Sequence, residues 1–142
     1  MKHTIDLPMK HINFKQMKIK QIASLILLCL FLFSCTSVPK TAPTDASVED
    51  LTLLAQNSLD VSNYKAAEFY YQTILNRYGS DLSVAVAAEY EIAHIRIKQK
   101  KWNDAKERLE TILDYYESDA AEYLAPHYRV LAEIDYEKSQ NK

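Results

Sequence analysis

The imidazoles of His94 and His127 and the carboxylates of Glu89 and Glu91 are chemically suited to binding a metal or moving a proton, but their spacing is wrong for either task. A zinc-type site needs ligands converging on one point. The two histidines fall on separate predicted helices with no cysteine to join them, so each is read as a partly exposed helix histidine. Glu89 and Glu91 are two apart on a predicted helix and face different ways, so they do not make an acid/base pair. His3 and His11 lie in the N-terminal leader. A single glycine leaves no material for a phosphate-cradling loop or a nucleophile elbow. Cys29 and Cys35 offer neither a disulfide framework nor a metal-spaced set. The chain is therefore expected to be no enzyme, and to need no cofactor and no metal.

A different chemistry is open to Cys35. Lys18 and Lys20 precede the apolar run Ile22–Phe33. That run is short of the roughly 20 residues a spanning helix needs and within the roughly 7–15 of a signal-peptide core. It stops at Leu32-Phe33-Ser34-Cys35, which resembles a bacterial lipobox. The resemblance implies a signal peptide over 1–34 and a lipoprotein that carries palmitate-type acylation at Cys35, its mature N-terminus. Thr36 follows where an aspartate would hold such a lipoprotein at the inner membrane, so the outer membrane is expected. Met17 is the expected functional start, because it leaves a short lysine-containing region before the apolar core. Residues 35–47 then read as a linker: the prolines, alanines and hydroxyls of Ser37–Asp45 predict a semi-extended tether.

What remains, residues 48–142, must build the fold, and it says nearly the same thing twice. Tyr64–Tyr78 (YKAAEFYYQTILNRY) overlays Trp102–Tyr116 (WNDAKERLETILDYY) at an offset of 38 residues. Ala67 falls on Ala105, Thr73 on Thr111, Ile74 on Ile112, Leu75 on Leu113 and Tyr78 on Tyr116. Counted from each alanine, apolar residues recur at i+4, i+7, i+8 and i+11, one stripe of an α-helix. Ser47 opens S-V-E-D-L, a capping-box pattern. The spacing predicts five helices, at about 48–60, 64–77, 83–99, 102–116 and 121–138. Pro126 must lie in the first turn of the last. The predicted fold is all-α, a short solenoid of antiparallel helices: two repeats and a capping helix.

These residues resemble the tetratricopeptide repeat. A small alanine, a large residue four later and an aliphatic one three beyond that recur as Ala67, Tyr71 and Ile74, then as Ala105, Leu109 and Ile112. The long turn at Gly79–Ser83, followed by AVAAEYEIAHI and later YLAPHYRVLAEI, is similar to the envelope subgroup, which includes BamD-type outer-membrane assembly lipoproteins and Tol-Pal coordinator proteins. The resemblance covers about residues 48–138. It implies a lipid-anchored, periplasm-facing scaffold whose partners are proteins of the β-barrel assembly machine or its clients. A secretin or pilus pilot lipoprotein and a structural envelope coordinator are the alternatives. In this family the first helix of each unit lines a concave groove. The implied partner-binding positions are Thr52, Gln56 and Leu59, then Tyr90, Glu91, His94, Ile97 and Lys98, then Tyr128 and Arg129. Tyrosines suit such a site because they give large contact area at low entropy cost. The alternative is that Tyr90 and Tyr128 pack helix against helix.

Charge narrows the partners. Formal net charge is −2, but residues 1–34 carry five lysines and one acid, which leaves −6 from Cys35 onward. That balance argues against a nucleic-acid surface. The acidic run Asp104–Glu122 is read as a solvated outer face. Leu109 and Ile112 are expected to pack against Ile92 and, from the last helix, Val130 and Leu131.

Overall fold

Ser47 begins the first helix by the reciprocal bonding its sequence predicts. Its Oγ accepts from the Asp50 N–H at 3.1 Å, and Asp50 Oδ2 accepts from the Ser47 N–H at 3.0 Å. The computed structural model describes residues 37–142, so the signal peptide, Met17 and Cys35 lie outside the described residues. Five α-helices follow: α1 Val48–Asp60, α2 Tyr64–Tyr78, α3 Leu82–Lys98, α4 Trp102–Tyr116 and α5 Pro126–Gln140. Each packs on its predecessor, α3 also touches α5, and there is no strand among the described residues. The protein is all-α, a helical-repeat arrangement.

The repeat is written into the backbone as well as the side chains. At the end of α1, Ser62 takes φ 57°, its N–H donates to Leu59 O at 2.8 Å, and the Asn63 N–H donates to Ser58 O at 2.8 Å. Thirty-eight residues on, at the end of α3, Lys100 takes φ 60°, its N–H donates to Ile97 O at 3.0 Å, and the Lys101 N–H donates to Arg96 O at 2.9 Å. Both are Schellman closures with a left-handed residue just past the helix. Each sends the chain back into a helix whose alanine, Ala67 or Ala105, is fully buried, so that the helix pair can approach closely. Tyr71 and Leu109 occupy the same site in the two pairs, as do Ile74 and Ile112.

Two cores result, and α3 serves both. Ala88, Ile92 and Ile95 face the α1–α2 pair, packing with Leu51, Ala55, Tyr71 and Ile74. Val86, Tyr90, Ala93 and Ile97 face α4 and α5, packing with Leu109, Ile112, Tyr116, Leu124 and Ala132. A helix apolar on both sides is a buried one. Flanking layers therefore hold α3 in place and fix where its remaining polar side chains emerge.

Several expectations change. Leu109 and Ile112 do not pack against Ile92, which belongs to the other core, and Val130 and Leu131 are 54% and 38% exposed. Pro126 lacks an N–H and disfavours helix at Ala125, which is extended. So α5 starts at Pro126, after a 3-10 turn over Asp119–Tyr123, and this register turns Ala132, Asp135 and Ser139 inward. Of the tyrosines Tyr64, Tyr71 and Tyr78, all expected on the buried stripe of α2, Tyr71 is fully buried and the other two are half-buried. The segment after Ser37 is laid on the helices and is no free tether. Asn63 Nδ2 donates to Ser37 O at 3.0 Å, Arg77 Nη1 to Pro43 O at 2.6 Å and Tyr78 OH to Ala46 O at 2.7 Å, and Ala46 is buried.

Candidate functional site

The first helix of each pair, together with α5, forms one face of the molecule, and two adjoining cavities lie along it. A cavity of about 250 Å³ is bounded by Thr52 and Gln56 of α1, Tyr71 of α2, Glu91 of α3 and Tyr128 of α5. A broader one of about 870 Å³ takes in Gln56 and Leu59 of α1, Tyr90, Glu91, His94 and Lys98 of α3, and Leu131 of α5. Gln56 and Glu91 line both. Eight of the ten positions assigned to the groove from sequence therefore come together. Ile97 does not: it is 2% exposed and lies in the second core. Arg129 does not either, since it turns to Glu117 at 2.9 Å and Glu133 at 3.0 Å. Tyr90 lines the groove only at its edge, being 5% exposed.

Helix spacing explains these placements. Glu89 and Glu91, two apart, leave α3 on different sides, as their spacing predicts. Glu89 pairs with Arg108 Nη1 of α4 at 2.5 Å, and Glu91 faces the groove. Behind Glu89 runs an ion-pair chain that sequence did not reveal. Arg96 bonds Glu68 of α2 and places its Nε 2.7 Å from Asp104 of α4, and Asp104 in turn holds Arg108 at 3.3 Å. Asp104, 43% exposed in its side chain, is thus a solvated member of the acidic run that also bridges two arginines. A cavity of about 440 Å³ beside this chain is walled by Glu89, Asp104 and Arg108. Because those charges are already paired, it is a poor receptor.

The groove's own charges are held differently. Asp135 of α5 is 5% exposed, accepts from Tyr90 OH at 3.3 Å, and lies 2.5 Å from His94 Nδ1. A carboxylate only accepts, so Nδ1 must carry the proton in this contact. Burial alone would raise the Asp135 carboxyl. Hydrogen bonding and attraction from His94, with help from Lys138 and Tyr90, bring it below its ordinary value of 3.8. Glu91 has the opposite balance. Burial raises its carboxyl above 4.5, and the attraction of His94 and Lys98 offsets this only in part. The rings of Tyr90 and Tyr128 lie 5.5 Å apart, and His127, which is exposed, is tilted against Tyr128 with ring centroids 4.2 Å apart. No group of three metal-ligating side chains occurs among the described residues. No described helix is long and apolar enough to cross a membrane.

The balance at Glu91 makes a prediction. An acid whose folded-state pKa is raised works against folding at pH above that pKa, and the penalty vanishes when the acid is protonated. Glu91→Gln is expected to stabilise the protein at neutral pH by about 1 kcal/mol, the usual scale for relieving a functional-site strain. In paired thermal melts that advantage should shrink as pH falls through the raised folded-state value and be gone below 4.5. A glutamine variant that is less stable at pH 7 would mean that Glu91 has a stabilising partner.

Comparison with known proteins gives one kind of match. The chain is 41% identical over 137 aligned residues to a Treponema pallidum (strain Nichols) protein described as uncharacterized. The alignment covers 92% of this chain and 55% of that protein, so the chain spans about half the length of the curated relative it matches. No family model matches, and no solved structure matches.

Proposed function

We propose that this chain is a lipid-anchored, protein-binding scaffold of the cell envelope, held at the outer membrane through Cys35 and serving β-barrel protein assembly in the manner of BamD-type lipoproteins. The observation that carries the binding half of this reading is the groove: polar and aromatic side chains from α1, α3 and α5 line two adjoining cavities on one face. Large rings set among scattered polar groups are what a partner polypeptide uses for anchoring. The envelope half rests on the apolar run that ends at Ser34-Cys35 and on the tetratricopeptide resemblance. In this role the protein makes and breaks no bonds. It presents a rigid face on which a client segment, or a component of the assembly machine, is held.

Two measurements test the two halves. Metabolic labelling with a fatty-acid analogue is expected to tag the wild type and to leave Cys35→Ala untagged and released from the membrane fraction. Equal labelling of both removes the anchor. A photo-crosslinking amino acid placed at Gln56, in the groove, is expected to yield envelope-protein adducts in cells. The same group at Asp114, exposed on α4 and outside these cavities, should not. Equal adducts at both positions, or none at Gln56, would remove the groove as the contact surface.

A further inference from the structure

Two polar groups without partners line the smaller cavity. The Tyr71 hydroxyl is buried, on a residue only 2% exposed, and has no hydrogen-bond partner among the described residues. It lines the same cavity as the Glu91 carboxylate. Their proximity is felt by both rings nearby: the Tyr71 hydroxyl is pushed up first by burial and then by Glu91 and Tyr128, and Tyr128 likewise by burial and Glu91. Several other acids near α3 are matched. Glu68 meets Arg96, Glu89 meets Arg108, Asp104 meets both arginines and Asp135 meets His94. Glu91 forms no such pair among the described residues, and it is the sole charged side chain of the cavity wall. A buried hydroxyl left unbonded and a carboxylate left unpaired both cost stability, and a fold retains such groups where something else completes them.

We infer that this cavity receives one basic side chain, lysine or arginine, from a bound polypeptide segment. The inference rests on the reading of this face as a polypeptide groove, and it names the chemistry of the anchor. An ammonium or guanidinium brings donors and no acceptor, so one cation can bond Glu91 and Tyr71 at once. The Tyr128 ring offers a π face to the same charge. Val48, Ile74 and Val84 supply an apolar wall for the methylene stem, as long basic side chains require. The competing occupants fare worse. An acidic side chain meets Glu91 with like charge, and an apolar one buries the carboxylate and leaves Tyr71 unsatisfied. Lys98 lies beyond Glu91 in the broader cavity, where it repels a second cation, so a single basic residue is specified.

The test is a selection followed by a substitution. The full-length protein in detergent is panned against a phage-displayed library of random dodecapeptides. The enriched peptides are expected to share one lysine or arginine flanked by apolar residues. A synthetic peptide from that set should lose at least tenfold in affinity when its basic residue becomes norleucine or glutamate. The same peptide should lose at least tenfold against Glu91→Gln and less than twofold against Glu137→Gln, an exposed acid on α5. Thermal melts run alongside should show Glu91→Gln fully folded, so that lost binding is not lost structure. Selection yielding no peptides, peptides without a shared basic residue, or peptides that bind Glu91→Gln within twofold of wild type would each overturn the inference. The photo-crosslinks at Gln56 are scored separately. Adducts that persist in Glu91→Gln would retain the scaffold and remove the cation site, whereas peptide selection without envelope adducts would do the reverse.

Discussion

Leu109→Ala is expected to cost about 2–5 kcal/mol of stability, the range for removing a buried leucine and leaving its cavity. Leu109 is fully buried between α3 and α5, in contact with a core that includes Tyr90, Ala93, Ile112 and Ala132. The site cannot close up easily, because the residues that would have to move in are themselves constrained. Ala105 already holds α4 tight against its neighbours, and Ala132 does the same for α5. A loss of this size is a large share of the total stability of so small a domain. Urea unfolding of the wild type and the variant measures it directly. A loss under about 1 kcal/mol would mean that the second core is loose and that α5 is not the tight cover described above. Tyr90→Ala should behave similarly, since that ring lies in the same core. It is therefore no clean probe of the groove, and Gln56 and Glu91 are the better ones.

How far this arrangement could be read from the residues depends on which physical signal each part carries. Helix positions were legible because stripe periodicity, the Ser47 capping box and the constraint on Pro126 are local effects. The 38-residue offset was legible as similarity of side chains, and it returns as two Schellman closures at Ser62 and Lys100 that no propensity would have marked. That Thr52, Gln56, Glu91 and Tyr128 share one cavity agrees with the repeat register that the tetratricopeptide resemblance implied. Depth was not legible. Tyr90 and Ile97 sit on the correct helix but on its inner side, because α3 is apolar nearly all round and its pattern does not say which residues two flanking layers will cover. Arg129 was misplaced because the register of α5 depends on where Pro126 lets the helix begin. The chain Glu68–Arg96–Asp104–Arg108–Glu89 joins residues up to 40 positions apart across three helices, a distance at which charge spacing in sequence carries no signal. Asp135 did leave a trace. Tyr128, Ala132, Asp135 and Ser139 follow the i, i+4, i+7, i+11 spacing of the buried stripe, so an acid at that place implies a buried partner.

That partner gives the second large effect. Asp135→Ala is expected to destabilise the protein by about 1.5–3 kcal/mol at neutral pH, the range for hydrogen bonds to a charged group. Removing the carboxylate strands two donors, the Tyr90 hydroxyl and His94 Nδ1, where α3 meets α5. The side chain of His94 is 30% exposed, so water can recover part of that contact, and the expectation stays below that for a fully buried ion pair. The sign of the pH dependence follows from the direction of the shift. Asp135 has a folded-state pKa below its ordinary 3.8, so the unfolded chain takes up the proton first on acidification. Its contribution is fully present above pH 3.8 and is lost as pH falls through the lower, folded value. The gap between wild type and Asp135→Asn, which keeps the shape and removes the charge, should narrow as pH falls below 3.8. Denaturant unfolding at a series of pH values reads both quantities. A gap that persists unchanged through the acid range would assign the effect to packing, and the bond from His94 to Asp135 would then carry no share of what fastens α5 to α3.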